Sequence, residues 1–277
     1  MSPVPVARPI ALLVLRDLRR LARRPSQIVA TAGVPLLFAL VLGSGFAEAP
    51  LGPTANTDNA AAHGYAAYIV PGAALLSVVF AATFAGMGLI EDRHDGALRA
   101  ITLSPMPPSA LAAARLISTV ILALLPASLI LAAGLLFTDL EPAPATLAAL
   151  GALTLASVAV GGVSLALAWA IDSPRGFHGV LNLGLMPAWL LSGAVFPPET
   201  ASGWIAGLTR INPLGWTHAA ASDALGLNPA APMWAAWGGA AATAAAGAWI
   251  AVATLAGPSR SRRAPRHTHP HRGQGSS

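Results

Sequence analysis

Residues 111–178 read LAAARLISTVILALLPASLILAAGLLF-TDLEPAP-ATLAALGALTLASVAVGGVSLALAWAI-DSPRGFH, where the hyphens set off two short polar breaks. Each apolar stretch, 111–137 and 145–171, exceeds the roughly 20 helical residues that cross a hydrocarbon layer about 30 Å thick. The breaks at 138–144 and 172–178 carry acidic residues, an arginine and prolines, which end helices. This tract therefore predicts consecutive transmembrane helices joined by short turns.

The rest of the chain extends this pattern. Of its 277 residues 55% are hydrophobic and only 10% are charged, whereas a soluble domain has about 25% charged residues. We predict an all-α integral membrane protein with six transmembrane helices near 28–46, 65–90, 111–137, 145–171, 179–196 and 231–256. Residues 1–256 form a single transmembrane domain, and the arginine-, proline- and histidine-rich segment 257–277 is predicted to be a disordered cytoplasmic tail.

The arginines predict the orientation. All 16 basic residues are arginines, and all but Arg210 lie on one side of the predicted spans, in or beside the leader, the second and fourth loops and the tail. Positive residues concentrate on the cytoplasmic side of membrane proteins. Both termini are therefore predicted to be cytoplasmic in a multi-pass protein of the plasma (cytoplasmic or inner) membrane, and this in turn requires an even number of spans.

The composition also excludes several functions. The chain has no cysteine and no lysine, so thiolate chemistry and the lysine of a phosphate-binding P-loop are both absent. No Ser/His/Asp, paired-carboxylate or metal-ligand constellation stands out, so we predict no catalytic, cofactor or metal site in this chain. Nucleic-acid binding is not expected either, because the arginines lie beside apolar spans and form no separate basic domain.

The leader, residues 10–24, is predicted to be an amphipathic helix. At 100° per residue Ile10, Val14 and Leu18 fall on one side. The other side carries Arg16, Arg19, Arg20 and Arg23. A basic amphipathic helix beside a span is typical of an interfacial helix whose arginines meet anionic headgroups. It serves as a topology anchor, as a contact for a cytoplasmic partner, or as both.

The second loop is the most polar internal segment. Five charges follow the second span, and 96–103 is predicted to form a short helix that ends at a proline cluster. Such a helix between two spans is suited to transmit a partner's motion; the alternative is a solvated loop with local salt bridges. The candidate coupling residues here are Glu91, Asp92, Arg93, Gly96, Leu98 and Arg99.

Between the fifth and sixth spans, residues 197–230 are neither clearly polar nor clearly spanning. Trp204 and Trp216 flank broken apolar stretches, which is typical of interfacial or re-entrant helices. Non-helical backbone at membrane depth has to be shielded or line a cavity. The segment is therefore a candidate exit gate, and the alternative is a pair of helices resting on the outer surface.

The predicted spans are interpreted as free of arginine, aspartate and glutamate, with charges only at their ends. Ion-driven carriers usually need ionisable groups within the membrane. Their absence disfavours an ion-coupled transporter and indicates that energy enters from outside the bilayer.

With these features the chain resembles the membrane permeases of type-2 ABC transporters, which export drugs, lipids and polysaccharides. The resemblance rests on the basic leader, the six spans, the loop motif 93–98 (RHDGAL) and the triplet Asn212-Pro213-Leu214 before the last span. Family members often show Arg-Glu-x-Gly-Thr-Leu in that loop, so His94 and Ala97 depart from the pattern.

The resemblance implies that transport and ATP hydrolysis are carried out by separate subunits. It implies a permease paired with a second copy or a paralogous permease, and a cytoplasmic ABC ATPase that carries ATP and magnesium. It also implies that the leader and the second loop contact the ATPase, and that re-entrant helices before the last span lie at the exit. A membrane scaffold or assembly factor without transport activity is the remaining alternative.

Overall fold

Helices form the regular structure in the part of the chain that the structure describes. A computed structural model describes residues 7–46, 60–102, 106–138, 140, 144–227 and 231–256. The helices are α1 (Ala7–Ala22), α2 (Pro25–Gly45), α3 (Ala60–His94), α4 (Ala97–Thr102), α5 (Pro108–Phe137), α6 (Ala145–Ala170), α7 (Pro174–Trp189), α8 (Gly203–Ile211), α9 (Pro213–Ala224) and α10 (Met233–Ala256). A π-helical turn, Leu190–Ala194, follows α7, and a 3₁₀ turn, Pro198–Thr200, precedes α8. The predicted tail, 257–277, lies outside the described residues.

Five described helices are long and apolar enough to cross a membrane. They are Pro25–Gly45, Gly64–His94, Pro108–Phe137, Ala145–Ala170 and Met233–Ala256. The second of these starts at Gly64 because the φ angle of +66° at this glycine interrupts α3. They coincide with the first four predicted spans and the last one, which confirms an all-α integral membrane protein.

The fifth predicted span, 179–196, falls on α7 and the π-helical turn. α7 has 16 residues, fewer than the roughly 20 that cross a bilayer as one α-helix. The π-helical turn continues the chain to Ala194. The count of six crossings therefore stays a prediction.

α6 is the centre of the bundle and packs against α3, α5 and α10. Its buried side chains are mostly small, among them Ala149, Ala152 and Ala156, and small residues let helix backbones approach closely in membranes. The closest approach is to α10, where a Cβ atom placed on Gly162 would lie 2.0 Å from the carbonyl oxygen of Gly247. Glycine at this position is thus a requirement of the packing.

The peripheral helices present apolar side chains outward. On α2, Leu37, Leu40 and Val41 are exposed, and on α7 Leu183 is exposed. Exposed apolar surface of this extent marks contact with lipid or with another protein chain. The apolar outer surface agrees with a membrane environment.

The bundle has two distinct ends. At one end Leu89 of α3, Leu111 of α5 and Leu255 of α10 form one buried cluster with Leu98 of α4, and Leu13 of α1 packs against it. At the other end Trp216 of α9 packs on Gly239, near the start of α10. The leader and the α3–α4 segment therefore lie at the end opposite to α9.

Candidate functional site

Charged side chains from three helices, and from Arg24 in the turn after α1, meet where α1 lies against α5 and the end of α3. We call this group the ionic cluster; four arginines in it face three carboxylates. Its members are Arg16, Asp17, Arg20, Arg24, Glu91, Asp92 and Arg115. The cluster connects the leader to two of the span-length helices.

Three buried charges form the centre of the ionic cluster. The side chains of Arg115, Asp17 and Asp92 are only 7%, 9% and 5% exposed. Arg115 Nη1 lies 3.2 Å from Asp17 Oδ2, and Arg115 Nη2 donates to Asp92 Oδ2. Ser118 Oγ donates to Asp17 at 3.1 Å. Buried charges persist only when they are paired and hydrogen-bonded, and both conditions hold here.

Arg115 corrects the sequence interpretation that the spans carry no charge. It lies inside the predicted span 111–137 and two turns into α5, where it is buried. The interpretation is wrong here because carboxylates 98 and 23 residues away in sequence neutralise the guanidinium. Sequence reasoning also left Asp17 out, although it is the only acidic residue of the basic leader.

A more exposed rim surrounds this centre and holds α1 against α3. Arg16 Nη2 lies 2.6 Å from Asp92 Oδ2, and Arg20 Nη1 lies 2.9 Å from Asp92 Oδ1. Arg24 Nη1 lies 3.0 Å from Glu91 Oε2, and Arg20 also donates to Glu91. Burial lowers the pKa of Arg16, but Asp92 and Asp17 outweigh it and leave that pKa above its ordinary value. Arg16 and Arg20 therefore bind protein carboxylates, whereas the sequence pattern predicted that they would meet lipid headgroups.

The opposite side of α1 stays open. Leu12, Leu15, Arg19 and Arg23 are exposed. Among the described residues neither Arg19 nor Arg23 has an ion pair. These four side chains line a concave surface of about 540 Å³, and its remaining lining residues are Arg16, Arg20, Arg24 and Asp92 of the ionic cluster. The surface is both cationic and apolar.

Arg93 connects the end of α3 to the end of α6. Its Nη2 donates to the carbonyl oxygens of Ala168 and Trp169 at 3.0 and 3.1 Å. Its guanidinium lies 5.4 Å from the centre of the Trp169 ring, and Nη1 donates to Asp172. A cation that satisfies the free carbonyls of a helix C-terminus stabilises that terminus. Arg93 thus has a structural role, in which it holds the end of α3 to the end of α6.

Gly96 and Leu98 shape the step from α3 to α4. Gly96 has a φ angle of +74°, in the left-handed region that residues with a Cβ atom enter at a cost. Directly after it, Leu98 is 6% exposed and joins the buried cluster at this end of the bundle. α4 is therefore packed against the spans and is not a solvated loop. The side chain of Arg99 lies outside the described part of the chain.

At the other end of the bundle, Asn212 fixes the start of α9. Its Oδ1 accepts from the backbone N–H of Leu214 at 3.0 Å, which caps the helix. Its Nδ2 donates to the carbonyl oxygen of Ala188 in α7 at 2.5 Å. Leu214 is buried, Trp216 is half-buried, and Pro213 and Trp204 are exposed. The structure thus brings Asn212, Leu214 and Trp216 into the bundle, and leaves Trp204 on its surface.

Two tyrosines of α3 satisfy carbonyl groups of the irregular backbone beside α9, and Trp189 at the end of α7 bonds back to α3. Tyr65 donates to the carbonyl oxygen of Val195 at 2.6 Å, and Tyr68 donates to that of Gly193. Trp189 Nε1 donates to the carbonyl oxygen of Gly72 at 2.8 Å. π-helical turns of this kind occur often at functional sites. The irregular segment is therefore held to α3 by specific bonds.

Sequence reasoning missed a cavity behind α9. It measures about 290 Å³, and His218 and Ser222 lie in its wall. Burial alone lowers the pKa of His218 to about 4, so its imidazole is neutral at pH 7. α9 is too short to span a membrane, and a single histidine in an alanine-rich helix gives no sequence signal of a site.

Replacing Asn212 by alanine is expected to cost about 1–2 kcal/mol of unfolding free energy, because the cap of α9 and the bond to Ala188 are lost together. The midpoint of thermal unfolding in detergent measures this cost. Asn182→Ala is the matched control, since Asn182 is half-buried and makes no side-chain hydrogen bond among the described contacts. Equal loss in both variants would contradict the role given to Asn212.

The fold and the ionic cluster define a multi-pass membrane protein whose basic leader and second loop are joined to its spans. The family model of the ABC-2 type transporter matches residues 8–225. This chain belongs to that family, and it is the membrane permease component of an ABC transporter, as its resemblance to such permeases predicted. No curated protein matches the chain in a direct sequence comparison.

Proposed function

We propose that this permease exports a substrate with energy from ATP hydrolysed on a separate cytoplasmic ABC ATPase subunit. The observation that carries the proposal is the ionic cluster, which joins the exposed leader to α3 and α5 through buried charge pairs. A force applied to α1 would reach both helices without passing through a flexible loop. ATP and magnesium belong to the partner in this proposal, because the chain has no lysine for a P-loop.

The docking surface in this proposal is the open side of α1. Leu12 and Leu15 offer apolar contact area there, and Arg19 and Arg23 offer unpaired positive charge. A surface of this chemistry fits a partner with an acidic rim around an apolar contact. α4, whose Leu98 is inserted between the spans, supports a second point of contact.

The far end of the bundle is the exit in this proposal. α8 and α9 are short helices, and α9 is tied to α7 by Asn212 and to α10 by the packing of Trp216 on Gly239. α9 also packs against α6, whereas α8 packs mainly on the short elements beside it. A short helix with few contacts, such as α8, is suited to move while the long helices keep their shape. The arginine distribution supports cytoplasmic termini, and thereby an outer position for this end, in the plasma membrane.

The functional unit we propose holds two permeases, either two copies of this chain or one copy with a paralogous permease. Exposed apolar residues on α2 and α7, among them Leu40 and Leu183, supply surface for that contact or for lipid. The substrate path would then lie between two bundles.

Charge reversal of the leader tests the coupling. In Arg19→Glu/Arg23→Glu, we expect the ATPase to be lost on co-purification and its stimulation by the permease to fall at least about tenfold, since a favourable charge contact becomes repulsive. Arg175→Glu, an exposed arginine at the start of α7, is the matched control. If the double variant still bound the ATPase as well as the wild type, the proposal that the ATPase docks on the open side of α1 would be wrong. Failure to recover any ATPase with the wild-type chain would overturn the proposal as a whole.

Ion coupling is the second candidate function. The sequence disfavours it because the spans are interpreted as free of charge, and the buried Asp17–Arg115–Asp92 centre removes that argument. Each of these carboxylates already binds an arginine, so a coupling ion would have to displace a guanidinium, which disfavours this candidate. Measuring transport in intact cells distinguishes the ATP-driven exporter from the ion-coupled carrier. Under the ATP-driven proposal it stops on ATP depletion and survives an uncoupler, and the reverse result would favour the ion-coupled carrier.

A further inference from the structure

The cavity behind α9, here the α9 cavity, lies between α9, α8 and the irregular segment after α7. Its volume of about 290 Å³ is close to the lower end of the range for small-molecule pockets. Its walls combine aromatic, proline and polar side chains: Tyr68, Pro198, Thr209, Trp216, His218 and Ser222. Such a mixture of apolar walls and few polar groups is typical of a ligand site.

Most hydroxyl groups in the wall already have a partner. Ser192 Oγ donates to the carbonyl oxygen of Trp189 at 2.6 Å, and Thr209 Oγ1 donates to that of Ile205 at 3.1 Å. Tyr68 donates to the carbonyl oxygen of Gly193. These groups therefore complete the protein's own backbone and leave no free donor for a ligand.

Two polar atoms in the wall have no partner among the described residues. They are His218 Nε2 and Ser222 Oγ, and their residues are only 6% and 4% exposed. Because the two residues are four apart on α9, they lie on the same helix face. Buried polar atoms in folded proteins are nearly always bonded to protein, water or ligand. Both residues line the cavity, so the two atoms are candidates to bond a molecule held in it.

The charge around the cavity favours an anion. Arg210 lies at its edge, is exposed, and has no ion pair among the described residues. No aspartate or glutamate is found in the described wall. A hydroxyl, a neutral imidazole and a guanidinium can all donate hydrogen bonds, and a phosphate group has enough oxygens to accept from all three.

We propose that the α9 cavity is a binding site for a phosphate group, with Ser222 and His218 as buried donors and Arg210 as the charge at the entrance. The phosphate belongs either to a soluble phosphate ester or to a lipid headgroup that enters from the bilayer. The site works independently of the ATPase, so its test does not depend on the proposed export function.

Two binding arms distinguish the sources. In the first, glycerol 3-phosphate is titrated calorimetrically into the full-length chain in a phosphate-free detergent. In the second, the chain is placed in nanodiscs with phosphatidylglycerol or with a phosphate-free glycolipid, and retained lipid is measured by native mass spectrometry. Binding in the first arm assigns the site to a soluble ester, and retention in the second alone assigns it to a lipid.

Variants then locate the binding. Ser222→Ala and His218→Leu are each expected to weaken binding about tenfold, as for the loss of a hydrogen bond to a charged group. His218→Gln, whose amide can donate, is expected to restore part of it. Ser128→Ala and His178→Gln are matched controls, because the half-buried Ser128 and the exposed His178 both lie away from the cavity. A melting temperature is recorded for each variant to confirm that it folds.

The proposal is overturned by either of two results. One is that neither phosphate probe binds, in which case the cavity holds water only. The other is binding that Ser222→Ala and His218→Leu leave unchanged while both variants stay folded.

Discussion

Replacing Arg115 by methionine is expected to destabilise the protein by about 3–5 kcal/mol, the largest effect of any single substitution considered for this chain. The guanidinium of Arg115 is the shared partner of Asp17 and Asp92, whose side chains are 9% and 5% exposed. Removing it leaves two carboxylates close together with Asp17 deprived of its main partner. The midpoint of thermal unfolding, followed by size-exclusion chromatography in detergent, measures the loss.

A matched control separates this effect from the general loss of an arginine. Arg175→Met removes an exposed arginine that makes no ion pair among the described contacts, and surface changes of this kind usually alter stability by less than about 0.5 kcal/mol. If Arg115→Met unfolded at the same temperature as Arg175→Met, the ionic cluster would not be a buried network.

A compensated variant separates stability from coupling. In Asp17→Asn/Asp92→Asn/Arg115→Met the charges are removed together, and replacing a whole buried charge network often restores stability. We expect the triple variant to recover most of the stability lost by Arg115→Met. Its stimulation of the partner ATPase should stay low, because the ion pairs of α1 with Arg115 and Asp92 are lost and only the pairs with Glu91 remain. Full stimulation in a stable triple variant would contradict the proposed route of force.

The sequence was sufficient for the features that depend on local composition. The apolar blocks predicted the five span-length helices, and the arginine periodicity of 10–24 predicted a helix that the structure places at Ala7–Ala22. Gly96 and the prolines after it predicted the short α4. In each case the signal lies within a single segment and needs no knowledge of its neighbours.

The features that sequence reasoning missed depend on contacts between distant segments. The arginine distribution places Arg115 in or beside the second loop, and nothing in the local sequence shows that Asp17 and Asp92 neutralise it inside a span. The amphipathic pattern of the leader predicts that its arginines meet lipid headgroups, because helical periodicity shows on which side of the helix they lie but not what that side contacts. The sequence does not show that the fold buries His218 and leaves its Nε2 with no hydrogen-bond partner among the described residues.

Gly162→Ala, which disturbs the contact between α6 and α10, is expected to have the second large effect. We expect it to lower the unfolding free energy by about 1–3 kcal/mol. A Cβ atom on Gly162 would lie 2.0 Å from the carbonyl oxygen and 2.7 Å from the Cα atom of Gly247. These are backbone atoms, so no side-chain rotation relieves the clash and the helices must separate. The better helix propensity of alanine, worth up to about 1 kcal/mol, opposes this loss and does not cancel it.

Two further glycines on α6 provide a graded control, because the substitution is the same and only the space differs. At Gly151 the nearest atom to an added Cβ belongs to Trp237 at 3.8 Å, and at Gly161 it is Thr119 Cγ2 at 3.0 Å. Unfolding midpoints should therefore fall in the order Gly151→Ala, Gly161→Ala, Gly162→Ala, with the first at or above the wild type. If helix propensity alone determined the result, all three midpoints would rise equally. That outcome would show that α6 and α10 do not pack backbone to backbone.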